Sequence, residues 1–331
     1  DLLLGAWQVR MARREDIPHF AVLPCLLTTF LFGPAGYLLF QLVRASHRAG
    51  MAGTVREATA TPLGRLALAR LAEDSPRYTR LAVLLSTAML PLLGAFALDT
   101  RLFQGINVWI KPLKFLFSLT IYVTTLAFFA RYTSADIKRR PWWRWHERAV
   151  VLSVMLEVIW IGTAAALATS SHFNRTPIGT SIYALMGMLA TLLTTASTSL
   201  SWAILRHPAG NLAPAVRTGL VWGLGLTLPL TLMTAQTMAS MGSHWVGGTA
   251  SDADGLWVLG WSQDGGDLRV AHFFGTHAMY VVPFFAWCSS LIFGREARTP
   301  VRIIALTYVV LVIVTFVQGL MGNPFLTDMR A

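Results

Sequence analysis

Glu157, in "VLSVMLEVIWIG", is a carboxylate among residues that otherwise belong in hydrocarbon, and His272 and His277, in "RVAHFFGTHAMYVVPFFAWCSSLIF", interrupt a second such stretch. An ionisable side chain at the centre of a bilayer costs roughly 2.5 to 3.5 kcal/mol on insertion scales, so each calls for a partner or a task. A carboxyl group there can accept a proton, ligate an ion or act as a general acid. The plain alternative is a structural glutamic acid bonded to a neighbouring helix. The two histidines are five residues apart, about 140° of rotation and about 7.5 Å of rise on a helix. That spacing keeps them from sharing one metal ion, as residues four apart do in HExxH, and no metal site is expected. Small residues flank His277 (Gly275, Thr276, Ala278), allowing a helix or ligand to approach closely.

Glu157 and His277 are therefore the candidate catalytic proton donors and acceptors, and Lys114, His172, Asn174, His272 and Gln236 the candidate substrate-binding residues. Each has a bland counterpart. The histidines can be hydrogen-bonded packing residues, and Lys111 and Lys114 can snorkel to headgroups. Polar residues such as Asp99, Asp264, Asp267, Gln318 and Asn323 can simply be solvated helix ends.

The elements that must position these residues are membrane spans. Of 331 residues, 54% are hydrophobic and 13% charged, far from the roughly 25% charged residues of a soluble globular domain. The net charge of +11 belongs to loops: no soluble basic domain or RNA-binding motif carries it, so nucleic acid is not an expected partner. About 20 apolar residues make a span. Eight stretches qualify: 20 to 43, 81 to 99, 112 to 130, 149 to 169, 177 to 205, 215 to 239, 271 to 293 and 302 to 321. The sequence predicts an all-α, multi-pass transmembrane helix bundle in which the last seven spans pack as one domain, residues 80–331, with kinks where Pro34, Pro229 and Pro283 remove backbone donors. Residues 45–79 read as a cytoplasmic linker, with "GRLALARLAEDS" an amphipathic helix suited to the membrane surface. "PWWRWHER" at 141–148 suits an interfacial aromatic belt. Cys25 and Cys288, far apart and each in an apolar run, read as packing residues.

Basic residues set the orientation. The segments after the first, third, fifth and seventh spans hold 18 of the 27 Lys and Arg residues. Those loops are expected in the cytoplasm, with the 241–270 loop and the C-terminus outside. "RMARRED" at 10–16 fits this poorly, since its three arginines fall on the outer side. By this topology His172, His244, His272 and His277 share the outer side, and the expectation is a polar pocket opening outward and extending toward Glu157.

Residues 1–44 carry a specific pattern: "DLLLGAW", an Arg-rich turn, "IPH", "LPCLLTTFLFGP" and "GYLLF". This resembles the C-terminal half of the abscisic-acid-deficient-four-like family, small four-helix membrane proteins linked to neoxanthin synthesis from violaxanthin. The resemblance implies an isoprenoid or carotenoid context, not the isomerisation itself, because no residues for that reaction map onto this chain. Position 1 is Asp, and "DLLLGAW" reads as a helix end, so 1–44 is expected to be a truncated remnant of that unit. "INVWIKPLKF", "SHFN" and "DLRVAHFFGTHA" resemble segments of uncharacterised bacterial membrane proteins, which implies a bacterial inner membrane.

Four functions compete. The first is a membrane-embedded enzyme acting by acid/base chemistry on an isoprenoid or other lipid-soluble substrate. The second is a proton-coupled transporter or sensor using Glu157; its prolines and glycines in "GLVWGLGLTLPLTLM" allow a broken helix, but no inverted repeat accompanies them. A haem or quinone redox module is disfavoured for haem b, because axial ligation needs histidines on facing helices at matching depth and only His277 lies well inside a span. A scaffold contacting only membrane lipids is the fourth. No cofactor is expected.

Overall fold

The computed structural model describes residues 2–15, 17, 18, 21–26, 37, 39–41, 43, 44, 63–174, 176–252, 255, 256 and 259–326, with side chains in the first two terminal helices from Gln8 and Leu68 onward. Most of the first predicted span and of the linker up to residue 62 lies outside the described residues. A helix at Leu2–Arg14 precedes them, and a helix at Leu63–Asp74, covering "GRLALARLAED", packs against the first two long helices. Seven helices follow that are long and apolar enough to cross a membrane. They are α1 (Pro76–Leu98), α2 (Ile110–Phe129), α3 (Pro141–Ala166), α4 (Pro177–Arg206), α5 (Pro214–Met241), α6 (Leu268–Phe293) and α7 (Arg298–Leu320). The chain is an all-α, multi-pass integral membrane protein, and these seven helices form its bundle.

Local chemistry sets the helix ends. Proline opens α1, α3, α4 and α5, where its missing N–H would have had no helical partner and its fixed φ suits the first turn. The Thr176 hydroxyl accepts from Gly179 N at 3.1 Å and caps α4. Gly242, with φ 64°, supplies the left-handed residue that ends α5. α1 and α2 are joined by a two-residue turn between β1 (Leu102–Phe103) and β2 (Ile106–Asn107). Gln104 and Gly105 both have positive φ there, as a hairpin turn that follows strand twist requires.

α3 starts eight residues before the predicted position 149, because "PWWRWHER" is its first two turns. The aromatic belt expected there is split by helical geometry: Trp142 and Trp145 are exposed, but Trp143 is only 4% exposed and belongs to the main core. Pro91, Pro229 and Pro283 all lie inside helices that continue past them.

Helix pairing follows small residues. α5 packs most extensively on α6, and Gly219 and Gly223 make the approach possible. A Cβ on Gly219 would lie 2.1 Å from Ala286 Cβ, and one on Gly223 would lie 2.6 Å from Pro283 Cδ and 2.8 Å from Ala278 O. In lipid, where burial of apolar surface drives little helix association, such close backbone contact is a main source of packing energy. Hydroxyl groups add bonds between spans. Tyr122 donates to Leu193 O at 2.8 Å, Ser201 to Val221 O at 2.7 Å, and Tyr308 to Phe274 O at 2.8 Å. The main core joins α1 to α4 and reaches Leu220, Leu224 and Met279 of α5 and α6. Cys25 and Cys288 are both buried, and neither is in a disulfide.

Candidate functional site

The start of α6 organises one end of the bundle. Asp267 caps the helix, its carboxylate accepting from Arg269 N at 3.0 Å and from Ser262 N at 3.0 Å. The Arg269 side chain turns back onto the same carboxylate, with its closest contact at 2.6 Å, pairs with Asp252 at 2.8 Å and donates to Gly260 O at 2.6 Å. One guanidinium thus ties the loop after α5 to the first turn of α6. The planar fork of arginine suits this two-carboxylate task better than an ammonium would. Asp267 pairs with Trp245 in the short β3 (Trp245–Val246) and β4 (Gly266–Asp267) ladder, and Arg269 lies 5.8 Å from the Trp245 ring.

Other helices bring charge to this point. Lys111 and Lys114, in the first two turns of α2, both lie within electrostatic reach of Asp252 and Arg269. His172, in the loop after α3, is within reach of Lys111, His244 and His272. Its ring sits against Phe115 at 5.7 Å and Tyr183 at 5.9 Å, and its Nδ1 is 3.0 Å from Ser171 Oγ. Burial, reinforced by the positive Lys111, holds His172 well below the usual imidazole range. His244 is held at about 4, chiefly by burial and then by Arg269. The His244 ring lies 3.9 Å from that of Trp245, and its Nε2 is buried with no hydrogen-bond partner among the described residues.

Deeper along α6, His272 Nδ1 meets Thr234 Oγ1 of α5 at 2.9 Å. The His277 Nδ1–H donates to Phe273 O at 2.6 Å, and the ring stacks on Phe273 at 3.8 Å. That bond sets the tautomer and leaves Nε2 as an acceptor. Tyr280 follows, its ring 5.4 Å from His277 and within electrostatic reach of Tyr122. Tyr122 and Tyr280 each lie 12 residues inside helices that start at this end, about 18 Å deep. Polar groups therefore continue from the loops to near mid-membrane along α6 and α2.

Glu157 is 4% exposed. It lies on the inward stripe of α3 with Trp143, Val150, Val154, Ile161 and Ala164, and its Oε1 is buried without a hydrogen-bond partner among the described residues. It stands nine residues before the end of α3, and His277 nine residues after Leu268, so both lie about 13.5 Å from the same end. Their helices share little direct contact: α3 packs chiefly on α4, α2 and α1, whereas α6 packs chiefly on α5 and α7. Among the described residues no hydrogen bond connects Glu157 to His277.

The structure thus gathers Lys114, His172 and His272 at one end, with His277 below them. Asn174 is near in sequence but engaged locally: its Oδ1 accepts from Thr176 N at 3.0 Å and its Nδ2 donates to Ser170 O at 3.1 Å. Gln236 is exposed, two residues and thus about 200° around α5 from the buried Thr234 that meets His272. Position along the helix suggests convergence, but rotation separates Gln236 from the cluster. Asp252, Arg269, Lys111 and Tyr280 enter in their place. The Asp267 and Arg269 spacing in "GDLR" is the one advance signal, a helix-capping carboxylate with a cation two residues on. Among the described residues, no group of three His, Cys, Asp or Glu side chains could hold a metal ion.

A helical membrane bundle with a charged cluster at one end and a carboxyl group inside one span defines the class of protein. Residues 1–40 match the model of the family described as ABA DEFICIENT 4-like. No curated protein and no solved structure matches the chain.

Proposed function

We propose that the protein acts on a lipid-soluble molecule of isoprenoid type, with Glu157 and His277 exchanging protons with it and with Lys114, His172 and His272, joined by Lys111, engaging its polar end. The observation that carries this is Glu157. A carboxyl group on the inward face of a span, with one oxygen left without a partner, lowers stability. The presence of such a group is best accounted for by chemistry at that oxygen. The family match at residues 1–40 supports a carotenoid-related setting. Asn174 and Gln236 take no part in this proposal.

The basic loops at 131–148, 206–217 and 295–302 support an arrangement in which they face the cytoplasm of a bacterial inner membrane and the charged cluster faces out. The molecule then enters laterally from the bilayer, its polar end held at the outer surface.

A second function, proton-coupled transport or sensing by Glu157 alone, is favoured by one observation: α3 and α6 share little direct contact. Lipid extracts from the native host expressing Glu157→Gln, His277→Gln or the parent protein at equal levels separate the two. Loss of the same lipid or carotenoid change in both variants supports the enzyme. Loss of proton-coupled response in Glu157→Gln only, with an unaltered lipid profile in both, supports the transporter.

A further inference from the structure

The opposite end of the bundle carries a groove of about 390 Å³ between α1 and α3, lined by Arg77, Arg80, Leu81, Leu84, Arg148, Val151, Leu152 and Met155. Its walls are two helical stripes of identical spacing. Arg77, Arg80, Leu81 and Leu84 follow at i, i+3, i+4 and i+7 on α1, and Arg148, Val151, Leu152 and Met155 do the same on α3. Such spacing places each set on one face. α1 and α3 run in the same direction, since α2 returns the chain between them. The arginines therefore share one level and the apolar residues descend from it by about 10 Å.

The charges at the mouth are unequal in their commitments. Arg77 donates to the buried Glu147 at 2.6 Å, and Glu147 is also 3.3 Å from Ser75 Oγ, which fixes the register of α1 against α3. Arg80 and Arg148 are exposed and have no carboxylate partner among the described residues; Arg148 lies 4.9 Å from the exposed Trp145 ring. Leu84 and Leu152, 48% and 58% exposed, form the open apolar side below them. Two uncompensated guanidinium groups at the edge of a span, above an apolar furrow open to hydrocarbon, match the two halves of one amphiphile. Fixed positive charge at this level attracts anionic headgroups, and arginine binds phosphate oxygens in a forked geometry.

We propose that this groove is a binding site for an anionic phospholipid, its phosphate between Arg80 and Arg148 and the upper part of one acyl chain against Leu84, Leu152 and Met155. The site is separate from the histidine cluster and does not depend on the function assigned to it.

The full chain, purified in neutral detergent and titrated with phosphatidylglycerol or with phosphatidylcholine of the same acyl chains, tests this by native mass spectrometry. Phosphatidylglycerol is expected to be retained at least about tenfold more tightly. Replacing both Arg80 and Arg148 with Gln should weaken it roughly thirtyfold, about fivefold for each charge at the surface. Met155→Trp fills the furrow, keeps every charge and should also weaken retention, while glycerol 3-phosphate in excess should not displace the lipid. The proposal is overturned by equal retention of the two lipids, by an unaffected Arg80→Gln/Arg148→Gln variant, by displacement with glycerol 3-phosphate, or by a groove that takes up neither lipid. Both arginines are exposed and unpaired, so the double variant is expected to fold; normal elution and helical content confirm that before binding is compared.

Discussion

Arg269→Ala is the perturbation whose cost follows most directly from the structure. The Asp267 side chain has no exposure, and Arg269 reaches its two oxygens through contacts of 2.6, 3.0 and 3.1 Å. Removing one partner of a buried ion pair typically costs about 3 to 5 kcal/mol, because the remaining charge is left without compensation. Two backbone N–H groups, of Ser262 and of residue 269, still serve Asp267 in the variant, which argues for the lower end, about 3 kcal/mol. The pair with Asp252 is lost as well; that side chain is 17% exposed but the oxygen facing Arg269 is buried, so this loss adds about 1 kcal/mol or more. Thermal unfolding in detergent should show the midpoint falling by roughly 6 °C. Pairing Arg269→Met with Asp267→Asn should recover much of that loss, since the fully buried carboxylate then goes with its cation and only the partly exposed Asp252 is left without a partner. A single variant within about 1 kcal/mol of the parent would refute the view that this ion pair holds the end of the bundle together.

Three further outcomes follow from the same contacts. Gly223→Ala should destabilise by about 1 to 3 kcal/mol, because its Cβ meets Ala278 O and Pro283, and an unaltered melting point would mean the α5–α6 contact is looser than described. His244 is held at about 4, so between the ordinary value of 6.5 and that pH the unfolded chain binds a proton that the folded chain does not. Stability therefore falls as pH drops through this window, and His244→Phe should flatten the slope of midpoint against pH; an unchanged slope contradicts the assignment. Glu157→Met should be neutral or stabilising by about 1 to 2 kcal/mol, since it removes a buried oxygen with no partner; a strongly destabilised variant would mean that Glu157 holds the fold together.

The spans were legible because twenty apolar residues in a row admit few alternatives, and α1 to α7 lie where hydropathy places them. Their starts were less so. The apolar run in α3 begins near residue 149, but Pro141 begins the helix, because a proline at the first turn is a stronger local signal than hydropathy. The inward placement of Glu157 agrees with the rule that intramembrane charges face the bundle. Rotation about a helix is the part that linear sequence leaves open: Gln236 and Thr234 are two residues apart, yet one is exposed and the other meets His272. Loop reach is equally hidden, and Asp252 could be joined to Arg269 only once the loop between α5 and α6 was folded back over the helix start.

The central claim is that Glu157 stands inside the membrane to exchange protons with a lipid-soluble molecule. The most direct measurement compares lipid and carotenoid extracts from host cells expressing the parent or Glu157→Gln at matched levels, the amide keeping the shape while abolishing acid/base titration at that position. A product absent from the variant, or a precursor accumulating in it, is the predicted result. Indistinguishable extracts from cells with equal amounts of folded protein would contradict the claim.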